Sequence, residues 1–193
     1  MKPRKLAVAA VAAAVVMALA ASGASAATFA ITGVTQNNSI TVTKSLAAGT
    51  SITVSDTSGF FANTCTTSHM HGSSAAPYSS SLLVIPLTTL SYGMCTEEPV
   101  VVDTAGSLTV ERIGSTGNGT VRSIGAKFTT PSPFGSLTCT TASAPGTDIG
   151  TLTGVSSGSA KLDVNAALNC GVITAKLTGS YITTSPHALS VHQ

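Results

Sequence analysis

Of 193 residues only 8% are charged, with 9 Lys+Arg against 7 Asp+Glu; roughly one quarter is usual for a soluble domain. Three of the nine basic residues fall within the first 26, which leaves six against seven in the remaining 167 and a net charge of −1. A chain so poor in Lys and Arg has no basic face for a phosphate backbone, so nucleic acid is excluded as the expected partner.

Lys2, Arg4 and Lys5 form a basic head, Leu6 to Ala21 an unbroken apolar run, and Ala24-Ser25-Ala26 a small-residue motif. The run has 16 residues, short of the ~20 that a spanning helix needs. This order is that of a secretory signal peptide over residues 1–26, cut between Ala26 and Ala27. No twin arginine precedes the run and no cysteine stands at the cut, so ordinary bacterial export without a lipid anchor is expected. The expected location is secreted, extracellular or at the cell surface, with no membrane span in the mature form. Residues 27–193 then make a single all-β domain, long enough for its own core.

Thirty Thr and 26 Ser take the place of charge on the surface. Thr favours strands, Ser and Gly favour turns. Phe29-Ala30-Ile31, Ser39-Ile40-Thr41-Val42-Thr43 and Ser51-Ile52-Thr53-Val54-Ser55 read as strands of an N-terminal meander, the last two with one apolar and one hydroxyl face and Ala47-Ala48-Gly49 as the turn between them. A further unit runs from Ser58-Gly59-Phe60-Phe61 into Cys65, and residues 68–80, without period, read as a loop. Leu82-Leu83-Val84-Ile85 reads as a buried strand, with a bulge or edge at Pro86. Val100–Val102 and Leu108–Val110 read as a hairpin turned at Asp103–Gly106, and Asn118-Gly119 as the turn of the next hairpin. A strand at Lys127-Phe128 ends at Pro131-Ser132-Pro133. Strands at 137–139, 149–152, 160–164 and 175–178 follow, and Ala166–Leu168 is strand or loop. About ten short antiparallel strands at this spacing predict an all-β sandwich or partly closed barrel.

Cys65, Cys95, Cys139 and Cys170 are an even set in an exported chain, which predicts two disulfides. Three pairings are open. The near-equal separations of 30 and 31 residues favour Cys65–Cys95 and Cys139–Cys170, each contributing roughly 3–4 kcal/mol on the chain-entropy model. No Cys-x-x-Cys supports a zinc site.

His69-Met70-His71 is the most chemical tripeptide present. On a strand its imidazoles would point the same way, toward a soft metal shared with Met70 or Met94, copper being the natural ion. In a loop without a third His or a carboxylate nearby in sequence, no metal ligand is assigned to them. Glu97 and Glu98 are adjacent and precede Pro99, with Asp103 near; they read as a solvated turn and not as an acid–base pair. No Gly-x-Ser-x-Gly elbow, phosphate loop or dinucleotide fingerprint occurs, so no catalytic residue, no cofactor and no enzyme activity are expected. Asn37-Asn38-Ser39 and Asn118-Gly119-Thr120 match glycosylation sequons but read as turns.

The segments Leu137–Thr141, Gly146–Gly154, Asn165–Cys170 and Leu177–Tyr181 resemble the C-terminal half of small secreted bacterial β-proteins described as similar to an activator of alkane oxidation. The likeness covers about residues 90–191 and carries no catalytic residue. It implies an extracellular β-protein associated with growth on hydrophobic substrates or with the cell surface. Two functions are therefore in play. One is a non-enzymatic structural protein of the surface or matrix, a self-associating or envelope component. The other is an extracellular binding or carrier module for an apolar small molecule.

Overall fold

Residues 161–170 alternate without a break: Leu162, Val164, Ala166, Leu168 and Cys170 are buried, while Lys161, Asp163, Asn165, Ala167 and Asn169 face out. That period of two is a strand with one dry and one wet face, and most of the chain follows it. The computed structural model describes residues 28–31, 34–35, 40–74, 82–133, 135–186 and 188–192. The signal-peptide residues 1–26, the Asn37 sequon and residues 75–80 of the expected loop lie outside them.

The described residues form no helix, and no helix among them is long and apolar enough to cross a membrane. The described residues form fifteen strands, more than the ten or so expected. The first eight are β1 (Thr28–Ile31), β2 (Val34–Thr35), β3 (Ile40–Leu46), β4 (Ile52–Asp56), β5 (Ala62–Ser74), β6 (Leu82–Cys95), β7 (Val101–Thr104) and β8 (Ser107–Ile113). The rest are β9 (Asn118–Ile124), β10 (Lys127–Ser132), β11 (Gly135–Thr140), β12 (Thr147–Thr153), β13 (Lys161–Cys170), β14 (Ile173–Ser185) and β15 (Ser190–His192).

Eight antiparallel positions close into a barrel in the order β3/β4, β5, β6, β8, β9, β12, β13, β14, and back to β3/β4. β3 and β4 share one position. Both run antiparallel to β14, which pairs Thr43–Leu46 through its C-terminal part and Thr53–Asp56 through its N-terminal part. The expected meander is thus corrected: Ala47–Gly49 is a jog and not a reversal. The Ala47 N–H donates to Ser180 O (3.0 Å) and the Thr50 N–H to Ala47 O (3.0 Å), so the chain steps outward and resumes its line. β1 pairs with β15 and β2 in a separate small sheet.

Other expectations are corrected as well. Residues 68–74 are not loop but the second half of β5. Pro86 does not stop β6, which runs through it; the bulge lies beyond, where His71 faces Thr89 and Gly72 faces Leu87. β7 and β8 are not a hairpin, because β8 pairs with β6 and β9 while β7 pairs with β10. The β8–β9 turn sits at residues 114–117, so Asn118 and Gly119 already belong to β9.

β10 continues β9 past a crease at Gly125 and pairs with β11, and β7 adds to its outer side. This three-stranded flap meets the barrel ladder through one residue pair, Thr140 with Asn169. The disulfides are Cys65–Cys95, across β5 and β6, and Cys139–Cys170, which staples the flap to β13.

Candidate functional site

The barrel interior is the first place to look for a ligand. Ile52, Leu83, Val110, Val121, Leu152, Leu162, Leu168 and Tyr181 are fully buried there. They leave two small voids of about 20 Å3 and 40 Å3. Such spaces admit a water or two; small-molecule sites are roughly 300–1,000 Å3.

One interior residue is out of character. Lys44 is 6% exposed and lines the smaller void beside Val42, Met70, Ile85 and Leu162. Its Nζ donates to Thr183 Oγ1 at 2.9 Å, and that hydroxyl donates to Ala160 O at 3.2 Å. Among the described residues no carboxylate lines the void or pairs with it. Burial therefore penalises the charged amine, and its pKa falls from 10.5 to about 7. Sequence reasoning missed Lys44, although Ile40, Val42 and Lys44 share one phase of β3. The second polar chain inside the barrel is neutral. The Tyr181 hydroxyl lies 2.8 Å from Ser68 Oγ, which donates to Ser91 O at 2.6 Å. Burial pushes the Tyr181 phenol up to about 12.

A groove of about 460 Å3 opens at one barrel end, lined by Phe60, Phe61, Glu97, Glu98, Pro131 and Pro133 among others. Two devices shape it. Asp56 accepts from the N–H groups of Ser58 (3.2 Å) and Phe61 (3.0 Å), fixing the turn that leaves Phe60 76% exposed. Asn63, wholly buried, holds the opposite wall: its Nδ2 donates to Glu98 O (3.1 Å) and Thr130 Oγ1 (3.2 Å), and its Oδ1 accepts from the Glu97 N–H (3.2 Å). Glu97 and Glu98 are exposed in the turn after β6. Asp103 is elsewhere, on β7, accepting from Thr129 Oγ1 at 3.2 Å.

The histidines stand on β5. His69 and His71 face outward, while Met70 between them is buried in the barrel. Met94 sits at the end of β6 beside Cys95 and is 76% exposed. Neither thioether joins the imidazoles, which removes the soft-metal arrangement weighed from sequence. Among the described residues no three His, Cys, Asp or Glu side chains converge.

Comparison with family models, with curated proteins and with solved structures finds no match.

Proposed function

We propose that the protein is a non-enzymatic structural β-protein of the extracellular surface or matrix. The observation that carries this reading is the filled barrel. A carrier that encloses an apolar molecule in its barrel needs an interior cavity of its ligand's size, and the described barrel interior holds voids of about 20 and 40 Å3. Two disulfides suit an oxidising compartment. A surface built on Thr and Ser with few charges, 8% in all, suits a protein that stands among others of its kind.

Light scattering behind size-exclusion chromatography tests the reading when combined with an apolar fluorophore such as N-phenyl-1-naphthylamine. Mass that grows with protein concentration, without stoichiometric uptake of the probe, is the expected result. A monomer at every concentration that takes up one equivalent of probe would replace this reading with the carrier.

A further inference from the structure

We propose that His69 and His71 form a two-histidine site on the outer face of the barrel for a divalent late transition metal, copper(II) above all.

The imidazoles are two residues apart on one strand face, so their attachment points lie roughly 7 Å apart. That spacing lets two rings lean toward one ion. Both are held alike from the neighbouring strand. His71 Nδ1 is 2.8 Å from Thr43 Oγ1 and His69 Nδ1 is 2.8 Å from Ser45 Oγ, each histidine lying in register with its hydroxyl partner. A metal-bound histidine characteristically donates its second ring N–H to an oxygen, which fixes both tautomer and ring orientation. In the tautomer in which both hydroxyls accept from Nδ1–H, both Nε2 lone pairs are left for a ligand. The repetition matters: one such bond is an ordinary cross-strand pair, whereas two in the same sense present two equivalent donors.

The surroundings favour a cation. On the other side of β5, His71 faces Thr89 and His69 faces Ser91. The one basic side chain in the adjoining register, Lys44, points into the barrel and is buried. With two protein ligands the ion keeps water or other exchangeable ligands in its remaining positions. That separates this site from a closed structural zinc centre. Imidazole nitrogen suits copper, nickel and zinc, and copper(II) binds most tightly in that series.

Titration of the purified protein with copper(II), followed by calorimetry and electron paramagnetic resonance, tests the site. One equivalent with coupling to two imidazole nitrogens is expected. His69→Gln and His71→Gln should each weaken it at least tenfold, His192→Gln should leave it unchanged, and Thr43→Val with Ser45→Ala should weaken it about tenfold by freeing the rings. Should a variant fold poorly, the wild-type chain still decides. Substoichiometric copper(II) should broaden the NMR signals of Ser45, His69, His71, Thr89 and Ser91 before others. Failure of the wild-type protein to bind, a first equivalent that survives in the double His→Gln variant, or broadening centred elsewhere would overturn the proposal.

Discussion

β13 joins its barrel neighbour β14 through ten paired residues and the flap strand β11 through one. The two regions are held by different means. The barrel is closed on itself, so its ladders leave no edge and its apolar residues share one interior. The flap is a bent continuation of the β9 and β12 arms; Phe128 and Cys139 extend the barrel's core into it, and discrete fasteners add to that burial. These are the Cys139–Cys170 bridge, the buried Asn63 amide, the Thr141 hydroxyl accepting from the Ala126 N–H at 2.8 Å, and the tilted pair of Tyr92 and Phe128 with ring centres 5.7 Å apart. Both regions share one core, but closed ladders secure the barrel, whereas the flap has one ladder pair to β13 and a few specific bonds.

The largest expected effect tests the barrel's own weak point. Lys44 has a folded pKa of about 7 against 10.5 unfolded. Between those values the unfolded chain holds a proton that the folded one has released, so stability rises with pH across that window and is flat below it. The rise is on the order of 4–5 kcal/mol at 1.36 kcal/mol per pKa unit. It should turn over above pH 10, because the unfolded chain ionises its tyrosines there while Tyr181 waits until about 12. Lys44→Met should remove the rise and raise Tm at pH 7, as denaturation followed by far-UV circular dichroism from pH 6 to 11 would show. A wild-type curve flat between 7 and 10 would mean that the amine finds water or an acid.

Next come the bridges. Loops of 30 and 31 residues give them nearly equal chain entropy, roughly 3–4 kcal/mol each. Their local consequences should differ. Replacing Cys139 and Cys170 by Ala should strip hydrogen-exchange protection from β10 and β11 before global unfolding. Replacing Cys65 and Cys95 should lower protection evenly, since β5 and β6 stay paired along their length. Equal local effects would dissolve the distinction between the regions.

Asn63→Ala should cost about 2–3 kcal/mol, since it strips partners from the Glu97 N–H, Glu98 O and Thr130 Oγ1. Its effect should concentrate in the turn after β6 and in β10, read by the same exchange measurement. The smallest effect belongs to the barrel surface. Arg122 and Glu111 are 3.4 Å apart and partly exposed, so Arg122→Gln should change stability by about 0–1 kcal/mol, seen in urea midpoints.

The contrast also explains what could be read in the sequence. The first half of β13 is legible because Leu162 and Val164 alternate with polar residues, whereas Ala166–Leu168, with Ala on both faces, reads equally as strand or loop although its inward positions are also apolar. The second half of β5 was not legible, because Ser68, Gly72 and Ser74 hold inward positions around Met70. The space is filled from opposite: Tyr181 meets Ser68, and a Cβ at Gly72 would come within 2.9 Å of Ile85 Cγ2. A period-two pattern written in small residues resembles a loop. The hairpin expected at Asp103–Gly106 failed for a different reason. Turn composition marks where a chain bends but not which strand it meets next, and here Gly106 lies so close to the backbone of Ile124 and Ala126 that no side chain would fit. The Cys spacing was informative because each bridge joins strands adjacent in the sheet. The site was the least legible part. Lys44 hides in a pattern that forbids charge, and the pairing of His69 and His71 with Ser45 and Thr43 depends on a register that no local signal encodes.

The shared position of β3 and β4 has a consequence in time. Both strands need β14, and the Lys44–Thr183 bond spans 139 residues of chain. A polypeptide emerging N-terminus first therefore exposes β3 and β4 long before their second neighbour exists, and the ring stays open until β14 has appeared. Pairings so distant make folding slow, on the order of milliseconds to seconds. Until then the waiting strands offer their edges to any other chain nearby.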